Sequence, residues 1–262
     1  MQNTVYMEHM DAFTYREKVA NGAIAFVPVG ALEQHGSHMA MNVDQVLTKR
    51  MAGETAEKVG GIVCAPIVFG YKSQQRSGGG FHLTGTTSLD GTTLIAIVRD
   101  VTRNLAEDGV KKIIYMNGHY ENYQFIYEGV DLALRDLRAE GITDVKVMLM
   151  SYWDFVDDAT IDRLYPDGFT GWDLEHAGVM ETSLMLLWYP EDVDMDRIDP
   201  ELYVGLPAVL PNYDCLPILP EYTPPSGCLS HPGESSAEKG EILAEVCVKN
   251  MVEAIRKEFK LY

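Results

Sequence analysis

The sequence predicts an α/β protein: a single-domain layered sandwich with a mostly parallel central sheet flanked by helices, doubly wound. Three observations predict it. Four short runs of nearly continuous apolar character, "AIAFVPV" (23–29), "GIVCAPIVF" (61–69), "KKIIYMN" (111–117) and "VKVMLMS" (145–151), read as strands covered on both faces. Segments with helical periodicity lie between them. Each run opens into a polar or glycine-rich cluster, and open parallel sheets bind their ligands beyond the carboxyl ends of the strands. The length of 262 residues suits one large domain, 1–262, better than two.

Taken in order, the first run leads into "GALEQHG" and then a helix, "DQVLTKRMAGETAEKVG", that stops at a glycine. The second run leads into "GYKSQQRSGGGFH" and the helix "SLDGTTLIAIVRDVTRNLAEDG"; the third leads into "GHYEN" and "NYQFIYEGVDLALRDLRAEG". Both helices end on glycine, the residue that most readily takes the left-handed conformation a helix stop requires. The fourth run ends in "YWDF". A further helix follows "GWDLEHAG", with Val179, Leu184, Leu187 and Trp188 on its inward side. Most of the twelve prolines fall between Pro190 and Pro232, so 190–234 reads as a wrapping arm ahead of a C-terminal amphipathic helix, 235–258. No internal repeat, dinucleotide-binding glycine motif or phosphate-binding loop occurs.

The charge balance excludes several partners. Twenty-one basic against 39 acidic side chains give a formal charge of -18, which repels nucleic acid and anionic lipid and leaves small neutral or cationic substrates. No apolar run reaches the ~18 residues of a membrane span, and the first twenty residues lack the basic start and apolar core of a secretory signal. A cytoplasmic protein is expected. Cys64, Cys215, Cys228 and Cys247 form no C-x-x-C pair, which argues for packed, reduced thiols and against a thiolate metal site.

The chemistry concentrates at the ends of the first and third runs. Glu33 and His35 are two residues apart, and His119 and Glu121 repeat the spacing in mirror order. In extended chain such residues point to one side, so each pair can offer a carboxylate and an imidazole to one point. Asp44 adds a carboxylate able to bridge two ions, unless it serves as an N-cap. Five N/O donors without sulfur suit Zn²⁺ or Mn²⁺, and paired ions in hydrolases stand about 3.5–4 Å apart. His38 reads as a supporting or surface histidine, and His82 as a group that orders the glycine loop. His176, preceded by Trp172, Asp173 and Glu175 and followed by small residues, suits proton transfer near neutral pH.

Together "PVGALEQHG", "NVDQ", "GYKSQQRSGGGFHLTGTTSLDG", "MNGHYEN", "SYWDF" and "GWDLEHAGVMETSLML" resemble the creatininase (creatinine amidohydrolase) family, in register to about residue 190. The tail "SHPGESSAEKGEILAEVC" is also similar; the proline-rich arm matches less well. The resemblance implies two divalent ions per subunit, one held by Glu33, Asp44 and His119 and the other by His35, Asp44 and Glu121. It implies substrate contacts from Ser77, Tyr120, Trp172, Asp173 and His176, with Trp153 and Trp172 as an aromatic lid. The implied reaction is reversible opening of creatinine to creatine by a metal-bridging hydroxide, with His176 as proton carrier, in a homohexamer; if His176 does not carry the proton, the residues themselves leave Glu121 or Glu175 as the next carboxylate for proton transfer. Glu175 and Glu181 are left as supporting groups without individual roles. The alternatives are another cyclic amide, a formamide or a cyclic keto-polyol as substrate, or a metal-stabilised protein without activity.

Overall fold

The computed structural model describes residues 4–261; residues 1–3 and 262, at the edges of the expected domain, lie outside it. The elements in chain order are α1 (Ala12–Ala20), β1 (Ile24–Val29), α2 (Val43–Val59), β2 (Gly61–Val63), α3 (Gln75–Gly78), α4 (Gly91–Glu107), β3 (Lys112–Asn117), α5 (Tyr123–Ala139), β4 (Lys146–Ser151), α6 (Asp158–Leu164), α7 (Val179–Trp188) and α8 (Ala237–Phe259). The four strands are all parallel, in the order β2-β1-β3-β4.

Side-chain alternation along β1 divides the core into two layers. Ile24 and Phe26 join Leu47 and Met51 of α2, Leu184 of α7 and Leu243 and Met251 of α8. Ala25, Val27 and Val29 turn the other way, toward Leu94 and Val98 of α4 and Ile126 of α5. Helices therefore cover both sheet faces, the arrangement that continuous apolar strands demand.

Three expectations shift. The second strand is only Gly61–Val63, because the chain leaves the sheet before Pro66, which has no N–H to give; Ile67 returns for a single bridge to Val29. Helix α1 escapes the apolar pattern and is fixed by its cap, the Asp11 carboxylate accepting from the N–H groups of Phe13 and Thr14. Asp44 is no N-cap: it lies inside the first turn of α2, after Asn42. The glycine stops hold, with Gly60, Gly109 and Gly141 all left-handed just past α2, α4 and α5.

Two glycines bring α2 against the sheet. A Cβ on Gly30 would stand 2.7 Å from the Asp44 main chain, and one on Gly118 would stand 1.6 Å from Thr48 Oγ1 and 2.7 Å from the Asp44 carbonyl oxygen. Without side chains there, the first turn of α2 lies directly over the ends of β1 and β3. The sequence leaves β1 toward β2 on one side and toward β3 on the other, so this is also the topological switch point of the sheet.

Candidate metal centre

The loop after β1 supplies Glu33 and His35, the first turn of α2 supplies Asp44, and the loop after β3 supplies His119. All four are buried. His119 Nδ1 lies 3.1 Å from Glu33 Oε2 and 3.1 Å from Asp44 Oδ2. On the other side of the same carboxylate, His35 Nε2 lies 3.1 Å from Asp44 Oδ1 and 3.6 Å from Glu181 Oε2. Asp44 thus gives one oxygen to each of two converging donor sets, Glu33/Asp44/His119 and His35/Asp44/Glu181.

The two imidazoles are turned by their rear nitrogens. His35 Nδ1 is 3.2 Å from the Glu33 carbonyl, which leaves Nε2 facing Asp44; His119 Nε2 is 3.0 Å from the Tyr71 carbonyl, which leaves Nδ1 facing Glu33 and Asp44. Such rear hydrogen bonds set the tautomer and aim of a metal-ligating histidine. Glu33 Oε1, His35 Nε2 and Asp44 Oδ2 are buried with no aligned hydrogen bond among the described residues, the 3.1 Å imidazole–carboxylate approaches being close but off-axis. Each such atom costs about 1–3 kcal/mol if nothing meets it. A pair of divalent cations supplies what these atoms lack, and the oxygen and nitrogen donors suit zinc or manganese.

The charges within the cluster act strongly on one another. Burial disfavours ionised Glu33 and raises its pKa, against the pull of His119. Burial also opposes the His35 and His119 cations, but the carboxylates around them prevail and hold both well above the usual imidazole value. For Asp44 burial acts upward, yet His35 and His119 bring its pKa below the ordinary range. His176 goes the other way: burial, then the charge of His35, hold it neutral well below its ordinary value.

Glu121 lies elsewhere than its spacing suggests. His119 is extended, but Tyr120–Asn122 form a 3-10 turn, so the two-residue rule for extended chain lapses and Glu121 swings to the far edge of His119. Its Oε2 is 3.2 Å from His119 Nε2, and its Oε1 accepts from Ser77 Oγ at 2.6 Å and the Gln74 N–H at 2.7 Å. The acid beside His35 is Glu181, whose Oε2 also accepts the Ala177 N–H at 2.7 Å. The sequence marks Glu181 only as a supporting group; nothing in the local pattern pairs it with His35, since it approaches from α7, far along the chain.

The cavity above the cluster is lined by Ser77, Tyr120, Glu121, Trp153, Trp172, Glu175, His176 and Glu181. Trp172 stands edge-on to Phe169 at 5.1 Å, and Trp153 edge-on to Tyr152 at 5.1 Å. Asp173 is exposed in the same turn as Trp172 and does not line the cavity; after burial, its charge is the chief cause of the raised Tyr120 pKa. Glu175 is buried beside the cavity, and burial pushes its carboxyl up to about 7. His38 stays out of the metal sets, clamped between Tyr203 Oη and Thr182 Oγ1 at 2.9 Å each; His82 is exposed.

A parallel α/β sheet with two carboxylate–imidazole sets sharing one aspartate at its switch point defines a binuclear metal centre of the hydrolase kind. The creatininase family model, described as creatinine amidohydrolase, matches residues 8–255. The creatinine amidohydrolase of Pseudomonas putida is 51% identical over 261 residues, 99% of each chain. Among solved structures, a manganese form of creatininase superposes with a TM-score of 0.95 at 51% identity. A variant described as the Zn-Zn type does so with 0.94 at 50%. Both cover 98% of this chain and 99% of the other. The chain belongs to the creatininase family.

Proposed function

We propose that this chain is a metal-dependent cyclic amidohydrolase that interconverts creatinine and creatine. The observation that carries the reading is the division of the Asp44 oxygens between two donor sets, one buried and the other closed on its open side by the half-buried Glu181, in a chain so similar to the P. putida enzyme. Glu33, Asp44 and His119 would hold one divalent cation, and His35, Asp44 and Glu181 the other, as Zn²⁺ or Mn²⁺. When bound, such a pair lowers the pKa of water and polarises a carbonyl.

The chain's own residues do the rest. Trp153 and Trp172 offer aromatic faces and edges to a small planar ring and keep bulk water from it, which strengthens the polar contacts inside. Tyr120 and Ser77 border the same space; Asp173, exposed in the turn beside Trp172, would meet substrate only from outside the cavity. His176, neutral and at the cavity wall, can take a proton and return it to the ring nitrogen as the C–N bond breaks. Glu121, anchored by Ser77 and the Gln74 N–H, steadies His119 and stands next in line for proton transfer. A cytoplasmic homohexamer completes the proposal.

The test is an equilibrium reached from both sides. Protein reconstituted with zinc or manganese is incubated with creatinine and, separately, with creatine; both mixtures should converge on one ratio. A protein carrying two equivalents of metal that converts neither compound would refute the reading.

A further inference from the structure

Gln34 separates Glu33 from His35 and looks like a mere spacer, but its side chain is held at three points. Its Oε1 accepts the Gly36 N–H at 3.1 Å, and its Nε2 donates to the Gly227 carbonyl at 3.1 Å. These two main-chain partners, one a donor and one an acceptor, fix which end of the amide is nitrogen. The amide Nε2 then lies 3.0 Å from His176 Nε2, and the Gln34 main-chain oxygen lies 3.0 Å from the same ring nitrogen. One residue therefore presents a donor and an acceptor to one edge of the imidazole. Whichever tautomer the ring takes, Nε2 has a partner there, and a ring that rotated away would lose both. His176 Nδ1 has no protein partner among the described residues.

We propose that Gln34 is a positioning residue for His176, and that Gly227, in the proline-rich arm, sets Gln34 in turn. The inference rests on the reading of His176 as proton carrier and explains why a distant arm belongs to the active structure. The arm reaches the site twice: the Gly227 carbonyl receives the amide, and the Leu229 N–H donates to the His176 carbonyl at 3.2 Å. Gly227 is left-handed, with φ +79°, and a Cβ there would fall 2.1 Å from Gln34 Oε1 and 2.4 Å from its carbonyl carbon. An alanine at this position therefore displaces the amide without altering a charge or a metal ligand.

The experiment compares Gln34→Met, Gly227→Ala, their double variant and His176→Asn as zinc-loaded protein. Metal content, kcat and KM for creatinine are measured, with ¹⁵N spectra of the imidazoles to read tautomer and hydrogen bonding. The expected result is two equivalents of metal, a KM close to the parent's, and a kcat lowered by up to about 10²-fold, the loss that a misplacement of ~1 Å at a reacting group brings. The His176 ¹⁵N signals should move in both single variants, and the double variant should be little slower than the slower of them, since both break one chain of contacts. If Gln34→Met does not fold, Gly227→Ala carries the test alone. Parent-like kcat and ¹⁵N signals with a slow His176→Asn would overturn this inference and leave the proton-carrier reading standing. A raised KM with kcat unchanged would overturn it as well, and a parent-like rate in His176→Asn would overturn both.

Discussion

The closeness of α2 to the sheet makes Gly118→Ala a direct probe of how the centre is built. The added Cβ would stand 1.6 Å from Thr48 Oγ1 and 2.7 Å from the Asp44 carbonyl oxygen. Non-bonded heavy atoms settle at about 3.5 Å or more. Thr48 can rotate its hydroxyl aside, but the Asp44 oxygen is main chain, so the first turn of α2 must recede on the order of 1 Å. Overpacking of this kind costs about 1–3 kcal/mol, a fall in Tm of roughly 2–10 °C for a chain of this size. Asp44 moves with the turn, and both donor sets lose their shared oxygen pair; displacements near 1 Å at a reacting centre cost about 10² in rate. Gly118 is not left-handed, so the variant tests packing and not backbone strain. Calorimetry and metal analysis read the outcome. Adding Thr48→Ala removes the side-chain clash and leaves the main-chain one, so it should restore only part of the loss. Parent-like Tm, metal content and rate in Gly118→Ala would refute the claim that these glycines place Asp44.

Three further outcomes are expected. Glu181→Ala should lose about one of two bound metal equivalents while Glu121→Gln keeps both and slows turnover, as read by atomic emission; the reverse pattern would return Glu121 to the metal set. His176→Asn should retain both metals and lose about 10² to 10⁴ in rate, the range of general acid–base catalysis; an unchanged rate would leave Glu121 to be tested next. Metal affinity should fall as pH falls. Carboxylates around His35 and His119 raise both imidazole pKa values against burial, so in the metal-free protein both carry protons above the usual imidazole range, and a divalent cation must displace them. Calorimetry in buffers of different ionisation enthalpy should find about two protons released as both ions bind; binding independent of pH would mean these imidazoles are not ligands.

What the sequence made legible was whatever depends on near neighbours along the chain. Continuous apolar runs and glycine stops are local features, and they located the sheet, three of its helices and the loops that carry polar groups. The E-Q-H spacing brings its two ends to one place for the same reason: the chain from Glu33 to His35 has no helical turn, and both side chains reach the Asp44 carboxylate's neighbourhood. The second strand is shorter than its apolar run, which continues through Ile67 and Val68 although the backbone has already turned out at Pro66. Helix α1 is not legible in the sequence because it buries only Val19, too little to leave a periodic stripe.

The mirrored H-Y-E pair shows where this kind of reading stops. Spacing becomes geometry only once the backbone conformation between the residues is known, and two residues in a 3-10 turn diverge where two in a strand agree. That one turn carries Glu121 to Ser77 and leaves a gap beside His35. The gap is met by Glu181 from the start of α7, which is held there by the Ala177 N–H and by a helix start bonded back onto Glu175 through the Met180 N–H. Ala177 has a φ of 54°, unusual for a residue with a Cβ, and this bend joins the His176 segment to α7 so that imidazole and carboxylate face one cavity. An Ala177→Gly variant should therefore keep the bend at no steric cost, whereas Ala177→Val, β-branched, should disfavour it by about 1–3 kcal/mol. If the bend is what aligns these two groups, Ala177→Val will lose metal and rate together while Ala177→Gly retains both. Equal behaviour of the two variants would mean that α7 finds its place through the packing of Leu184 and Met185 alone, and that the bend only follows.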